Sequence, residues 1–295
     1  MSETPPTFSI VIPTYNRLAL LKTALESLFR QECDSYEIIV VSDGSTDGTN
    51  EFLSSLASEG RLRYFNQQNQ GPALARNLGI SNARGAFIAF IDDDCIAPAD
   101  WLKKYAERFA QCGASGIGGS SVTGNTSSLF AVVNDLIVNF FKEHINTRAD
   151  VPTPFLTSNN AAYKKASLEK VGGFHKDFKR GAEERDLNFR LTQSGEKLLY
   201  DASISIGHYN DADFIAFLKH QFEQGRGSYL LYANARKQTG KQPGMIPLSV
   251  YLGLFFYPFK HFSFSKALVL FFLLIVTQAA IAAGYAAQSL SGHGK

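Results

Sequence analysis

The chain has 295 residues, 45% of them hydrophobic, enough for a full α/β core with a segment to spare. Lys+Arg 29 against Asp+Glu 27 gives a net charge of only +2, and no basic run interleaves with aromatics, which sets nucleic acid aside as a partner. Cys33, Cys95 and Cys112 have neither CxxC nor zinc-type spacing, so they read as reduced thiols and not as a structural zinc site.

The opening MSETPPTFSIVIP has no basic n-region and no apolar stretch of signal-peptide length, so the main domain is expected to stay in the cytoplasm. Phe8 to Ile12 reads as a buried strand ended by Pro13-Thr14-Tyr15-Asn16, after which Leu18, Leu21, Leu25 and Leu28 recur at helical spacing. Tyr36 to Ser42 is a second strand; in the turn after it Thr46 or Asp47 can cap a helix carrying Phe52, Leu53 and Leu56. A third strand over Arg61 to Phe65 and a third helix over Gly71 to Ala83 follow. Phe87 to Ile91 is a fourth strand, apolar without alternation, and it runs straight into Asp92, Asp93 and Asp94.

Three adjacent carboxylates repel by roughly 4 kcal/mol per pair at 4 Å in a dielectric near 20, so the cluster needs a cation or a raised pKa. In an extended chain Asp92 and Asp94 point the same way and can share one divalent metal. A solvated acidic turn ahead of a helix is the alternative the triplet alone leaves open. That helix opens near Pro98, with Trp101, Leu102, Tyr105 and Phe109 on one face, and Ala114 to Val122 is a glycine-rich fifth strand. Strands alternating with helices predict a doubly wound, mostly parallel sheet. In such sheets ligands bind beyond the carboxyl ends of the strands, and here three ends carry Pro13-Thr14-Tyr15, Asp43 and Asp92 to Asp94. Neither G-x-G-x-x-G after the first strand nor a P-loop motif is present.

Ser127 to Ile145 reads as a helix with a wide apolar face, assigned to core packing. Leu156 to Tyr163 and Leu198 to His208 are further strands, Val171 to Phe174 is a tight turn, and Glu183 to Ser194 is a helix. Ala267 to Ala287 holds no charged residue and is long enough to span a bilayer, for which about 20 apolar residues suffice. Met245 to Phe259 is shorter and interrupted by Pro247 and Pro258: a second span, a re-entrant piece or an interfacial helix. Lys219, Arg226, Arg236, Lys237 and Lys241 precede it and place the main domain on the cytoplasmic side of a cell membrane. The expected division is a catalytic domain over 1–240 and a membrane-associated tail over 241–295.

Taken in order, SIVIPTYNR, EIIVVSDGSTDGT, QGPALARNLGI, AFIDDD, SNNAAYKK, VGGF and EERDLNFRL resemble the segments of family 2 glycosyltransferases, nucleotide-sugar-dependent enzymes of the GT-A fold. The resemblance covers roughly residues 8 to 230. It implies that Pro13, Thr14, Tyr15, Asp43, Arg76, Asp92 and Asp93 bind the donor, with Asp43 accepting from the base and Arg76 neutralising Asp43 or the diphosphate. It further implies that Asp92, Asp94 and His208 serve a Mg²⁺ or Mn²⁺ ion, Asp94 most directly. The family's Glu-Asp pair, whose second member is the general base, falls on Glu183-Glu184. Glu184 is thus the candidate base, a glutamate where the family has aspartate. The Q-x-x-R-W motif of processive members lacks its tryptophan in Gln221 to Gly227, which implies single-sugar addition. The expected partners are a UDP- or GDP-linked sugar, a saccharide or lipid-linked acceptor, and membrane lipid. Two competing functions are a nucleotidyltransferase, whose glycine- and lysine-rich phosphate loop is missing, and a non-catalytic membrane scaffold, which intact carboxylates argue against.

Overall fold

A computed structural model describes residues 5–124, 128–146, 154–178, 181–209, 213–240 and 247–292. Ser127, Lys241 and Met245, named above, lie outside them. The first half alternates as expected: β1 (Phe8–Thr14), α1 (Leu18–Leu28), β2 (Tyr36–Ser42), α2 (Thr49–Ser58), β3 (Arg63–Asn66), α3 (Pro72–Asn82) and β4 (Phe87–Ile91). These strands lie in the order β3-β2-β1-β4, all parallel. Every residue of β1 is buried, because α1 and α2 cover one face of the sheet and α3 the other. Asp47 ties two helix starts together: one carboxylate oxygen accepts from the Leu18 amide and the other from the Thr49 amide and hydroxyl. The two amide bonds satisfy donors that a helix N-terminus leaves unpaired.

The second half contains β5 (Cys95–Ile96), α4 (Trp101–Cys112), β6 (Gly116–Thr123), α5 (Leu129–Asn146), β7 (Asn160–Lys164), α6 (Lys165–Lys170), α7 (Glu183–Gln193), β8 (Leu198–His208), α8 (Phe214–Thr239), α9 (Leu248–Phe256), α10 (Pro258–His261) and α11 (Phe264–Gly292). The full order is β3-β2-β1-β4-β7-β6-β8-β5. Here the parallel run stops: β7 inserts between β4 and β6 and is antiparallel to both, while β6 and β8 pair in parallel. The glycines of β6 make that insertion possible. A Cβ on Gly116 would strike the Tyr163 ring, and one on Gly119 would strike Asn160 and the Ile204 carbonyl. The fully buried Asn160 amide uses all its hydrogen-bonding capacity: its oxygen accepts from Trp101 Nε1 and the Tyr105 hydroxyl, and its nitrogen donates to the carbonyls of Ser120 and Ile204.

α8 is a 26-residue helix capped by Asp213, whose side chain accepts from the Ala216 amide. Its apolar residues form no single stripe because α7 and α11 both pack on it. Gly225 and Gly284 let the two long helices touch: a Cβ on the first would overlap the Ile281 carbonyl, and one on the second the Phe222 carbonyl. The tail shares a core with the rest of the chain, in which Val133 and Phe140 of α5 and Phe217 of α8 cluster with Leu254, Leu270 and Leu274. Burying each such side chain contributes roughly 1.5–3 kcal/mol. α11, over Phe264–Ser291, is long and apolar enough to cross a membrane, with mean hydropathy reaching 2.4 in an 18-residue window. Away from α8 it exposes Leu268, Val269, Phe272, Ile275 and Val276.

Candidate active site

The carboxyl ends of β1, β2 and β4 open onto one cavity of about 400 Å³. All the residues singled out in the sequence line it: Pro13, Thr14, Tyr15, Asp43, Arg76, Asp92, Asp93, Asp94, Glu184 and His208. Thr14, at the end of β1, donates its hydroxyl to Asp93 at 2.7 Å, and Tyr15 stands 41% exposed at the rim. Asn16 adopts a left-handed φ of 51°, which lets its side chain accept from the Thr46 amide at 2.7 Å and lock the first turn to the second. Asp43 is buried, one oxygen accepting from Gln67 Nε2 and the Gln70 amide, the other from the Gly71 amide.

The aspartate triplet is not extended. Asp93 and Asp94 form a turn ahead of β5, so the expected same-side pairing of Asp92 with Asp94 is replaced by a pairing of Asp93 with Asp94. One nitrogen of Arg17 bridges that pair, at 3.1 Å from Asp93 and 2.9 Å from Asp94. Asp92 turns instead to Arg76, at 2.7 Å. Arg76 is 3% exposed and its other terminal nitrogen lies 3.3 Å from Glu183; the expected partnership with Asp43 is not formed. Burial and the neighbouring carboxylates push the Asp93 carboxyl up, against Arg17 and Thr14. Burial acts on Asp94 in the same direction, but the bond and charge of His208, with Arg17, hold it low.

His208 ends β8 and sits between two carboxylates. Its Nδ1 lies 2.8 Å from Asp135, and its Nε2 faces Asp94 at 3.6 Å. Burial would lower its pKa; the bonds to Asp135 and Asp94 outweigh burial and raise it to about 10. Asp135 is 3% exposed and its second oxygen has no hydrogen-bond partner among the described residues. Opposite, α7 begins with Glu183 and Glu184 after two left-handed residues, Gly181 at φ 82° and Ala182 at φ 62°. A non-glycine residue there costs of the order of 1 kcal/mol, and α8 holds it in place: Gly227 packs so close that a Cβ would overlap the Gly181 carbonyl. Glu183 is buried on Arg76, while Glu184 is half-buried and lines the cavity. Burial, then the Glu183 charge, push the Glu184 carboxyl up to about 7.

The model of glycosyl transferase family 2 matches residues 9–172, more than half the chain. The chain belongs to glycosyltransferase family 2. Over 233 residues this family 2 chain is 30% identical to glycosyltransferase AglE of Haloferax volcanii, a match covering 77% of this chain and 74% of the relative. An uncharacterized glycosyltransferase of Rickettsia felis is 48% identical over 86 residues, but these are 29% of this chain and only 14% of that protein's length. Among solved structures, the mannosyltransferase PcManGT of Pyrobaculum calidifontis, in complex with GDP-Man and Mn²⁺, superimposes with a TM-score of 0.66 over 97% of this chain and 87% of that one, at 19% identity. The fold is thus that of the GT-A glycosyltransferases.

The donor groups of this family 2 site fit a divalent cation. Ligand atoms of Asp94, Cys95 and His208 lie within 4.8 Å of one another, and Arg17 already holds a positive charge against Asp93 and Asp94. Cys95 is the weak member: it is fully buried, and burial and the Asp94 charge push its thiol well up, which disfavours the thiolate a metal needs. Arg17 and Asp135 were not assigned roles from the sequence, and Glu183 was named there only as the first member of the acidic pair. Asp135 had a signal. Asn134, Asp135 and Lys142 interrupt the apolar face of α5 and are all buried; Asn134 and Asp135 line the cavity, while Lys142 donates to the Gly119 carbonyl of β6.

Proposed function

We propose that this chain is an inverting glycosyltransferase that moves one sugar from a nucleoside-diphosphate donor to an acceptor hydroxyl at the cytoplasmic face of a membrane. The observation carrying the proposal is that Glu184 faces the Asp92–Asp94 turn across a single cavity. Donor residues supplied by strand ends and a base supplied by a helix start therefore meet around one volume.

The donor lies over β1 and β2. Thr14 and Tyr15 flank the nucleoside. Asp43 keeps a lone pair for the base while its three N–H partners hold it rigid. Arg76, fixed by Asp92 and Glu183, and Arg17, which is about half exposed, turn their charge toward the diphosphate. Asp94 and His208 would hold Mg²⁺ or Mn²⁺, with the His208 Nε2 proton that the neighbouring carboxylates stabilise released on binding, and a nitrogen ligand favours Mn²⁺. Such an ion neutralises the charge that develops on the departing diphosphate. Asp135 keeps His208 Nδ1 occupied so that Nε2 faces Asp94, an outer-shell bond of the kind that orients metal-binding imidazoles. Glu184 removes the proton of the acceptor hydroxyl; the oxygen forms its bond to the anomeric carbon as the bond to the diphosphate breaks on the opposite face, inverting the configuration. A base with a pKa near 7 matches that task at neutral pH. The exposed apolar face of α11 seats the protein in the bilayer.

The test is titration of the full-length protein with UDP and GDP, with Mn²⁺ or with chelator, followed by product formation from a panel of nucleotide sugars. Metal-dependent diphosphate binding together with sugar transfer supports the proposal; preference for a triphosphate, or no binding, overturns it.

A further inference from the structure

A second, smaller cavity of about 140 Å³ opens beyond Glu184. It shares Asn134, Val138, Thr157, Glu184, His220 and Gln224 with the large cavity, so the carboxylate stands at the junction of the two. Its far wall comes from the C-terminal helices: Tyr251 of α9, and Gln278 and Ile281 of α11. Phe141 and Phe155 complete its aromatic side, with Tyr251 edge-on to Phe141 at 5.8 Å between centroids. Arg185 lines it too, held by the Ser228 hydroxyl at 3.2 Å.

Gln278 is the anomaly of α11. It sits inside the uncharged run Ala267 to Ala287, where a primary amide in a membrane span is costly and marks a functional contact by default. Its neighbour Thr277 satisfies itself on the Leu273 carbonyl. The Gln278 amide finds no hydrogen-bond partner among the described residues and borders the cavity. Amides for hydroxyl recognition beside aromatic faces for apolar C–H surface are the lining that a sugar ring requires. The volume is well under the roughly 300 Å³ at which drug-sized pockets begin, so it holds about one ring.

We propose that this chamber is the acceptor subsite, that it takes the terminal sugar of a glycolipid, and that Gln278, Gln224 and Tyr251 select that sugar. The tail is then part of the recognition surface as well as an anchor. This rests on the glycosyltransferase reading with Glu184 as base, and the deepest hydroxyl of the bound ring lies against that carboxylate.

The experiment uses the full chain in lipid nanodiscs, with octyl glycosides of different hexoses as probes. Donor-nucleotide affinity with Mn²⁺ is measured first, then the KM for the best glycoside and its binding by saturation-transfer NMR. Gln278→Leu is expected to raise that KM tenfold or more with the nucleotide Kd within twofold of the parent. Ile281→Trp, which fills the chamber, is expected to abolish glycoside binding with the same nucleotide Kd. If nucleotide binds but no glycoside does, or if both variants keep the parental glycoside KM, the acceptor chamber is wrong and the donor reading stands. Failure of the parent to bind any nucleoside diphosphate would instead remove the underlying glycosyltransferase reading.

Discussion

The two walls of the active-site cavity are built on different terms. On the wall that the proposal gives to the donor, strand ends present polar groups already fastened to the protein: Asp43 by three N–H donors, Thr14 by Asp93, Asn16 by Thr46. Across from it, α8 meets α11 and the start of α7 through glycines, α5 lies beside them, and the wall they form includes an amide with no hydrogen-bond partner among the described residues. A sheet fixes its exits to within its hydrogen-bond register, whereas helices pack with scatter and can be re-angled by a few side chains. Invariant chemistry suits the first kind of wall and adjustable recognition the second.

The sharpest way to break that contrast is at the donor wall. Asp94→Asn is expected to abolish transfer and to weaken nucleoside-diphosphate affinity only when metal is present. Calorimetric titration with and without chelator checks this; an equal loss in chelator would move the ion away from Asp94. Next comes Glu184→Gln, which retains size and hydrogen bonding but takes no proton. Transfer should fall by about 10²-fold or more with nucleotide affinity unchanged. In the parent, kcat should rise with pH through an ionisation near 7, the value at which burial and Glu183 place the Glu184 carboxyl; a kcat profile flat from pH 6 to 8 would remove Glu184 as base. The same variant carries a stability test with a definite sign. Because the folded pKa is raised, the parent loses stability as pH rises through about 7. The variant should therefore melt about 2–4 °C above the parent at pH 8 and closer to it at pH 5.

Smaller effects probe what supports each wall. Asp135→Asn should cost 10–100-fold in Mn²⁺ affinity, read from the Mn²⁺ EPR signal on titration, because the imidazole keeps an acceptor at Nδ1 but loses the negative charge that raises its basicity. If Mn²⁺ binds the variant as tightly as the parent, His208 is held by other groups. At the helical wall, Gly225→Ala puts a methyl group against the Ile281 carbonyl. The expected cost is 1–3 kcal/mol of stability, seen as a lower melting temperature, together with a raised acceptor KM and an unchanged nucleotide Kd. Intact acceptor kinetics in that variant would separate α11 from recognition.

Most of the donor wall was legible in advance because its residues sit at sequence-local places, the ends of apolar strands. Asp43 and the triplet Asp92 to Asp94 needed only the rule that such ends face the ligand. What the triplet does there was not legible: a turn at Asp93-Asp94, not alternation, decides which carboxylates share a cation. β7 was read as a strand, but its reversed direction depends on glycines of β6 that admit Asn160 and Tyr163, a contact between segments roughly forty residues apart. α8 escaped because two neighbours bury opposite sides of it and erase its stripe, although Asp213 offered a capping signal. His208 was found, but not Asp135 beneath it, since polar residues that interrupt an apolar face say only that something polar lies opposite. For the tail, length and composition revealed a helix long and apolar enough to cross a membrane, and nothing local revealed that α8 and the site would lean on it.

The reversed β7 also sets a schedule for biosynthesis. β1 to β4 leave the ribosome early and can close on α1 to α3, yet the free edge of β4 waits for Asn160 to Lys164, roughly seventy residues later. At the usual 5–20 residues per second that wait is on the order of 4–14 s. Throughout it an apolar strand edge lies open to other nascent chains. Slow codons placed between residues 92 and 160 should lengthen the vulnerable interval and lower the soluble or membrane-inserted yield. Placed after residue 164, the same codons should have no such effect.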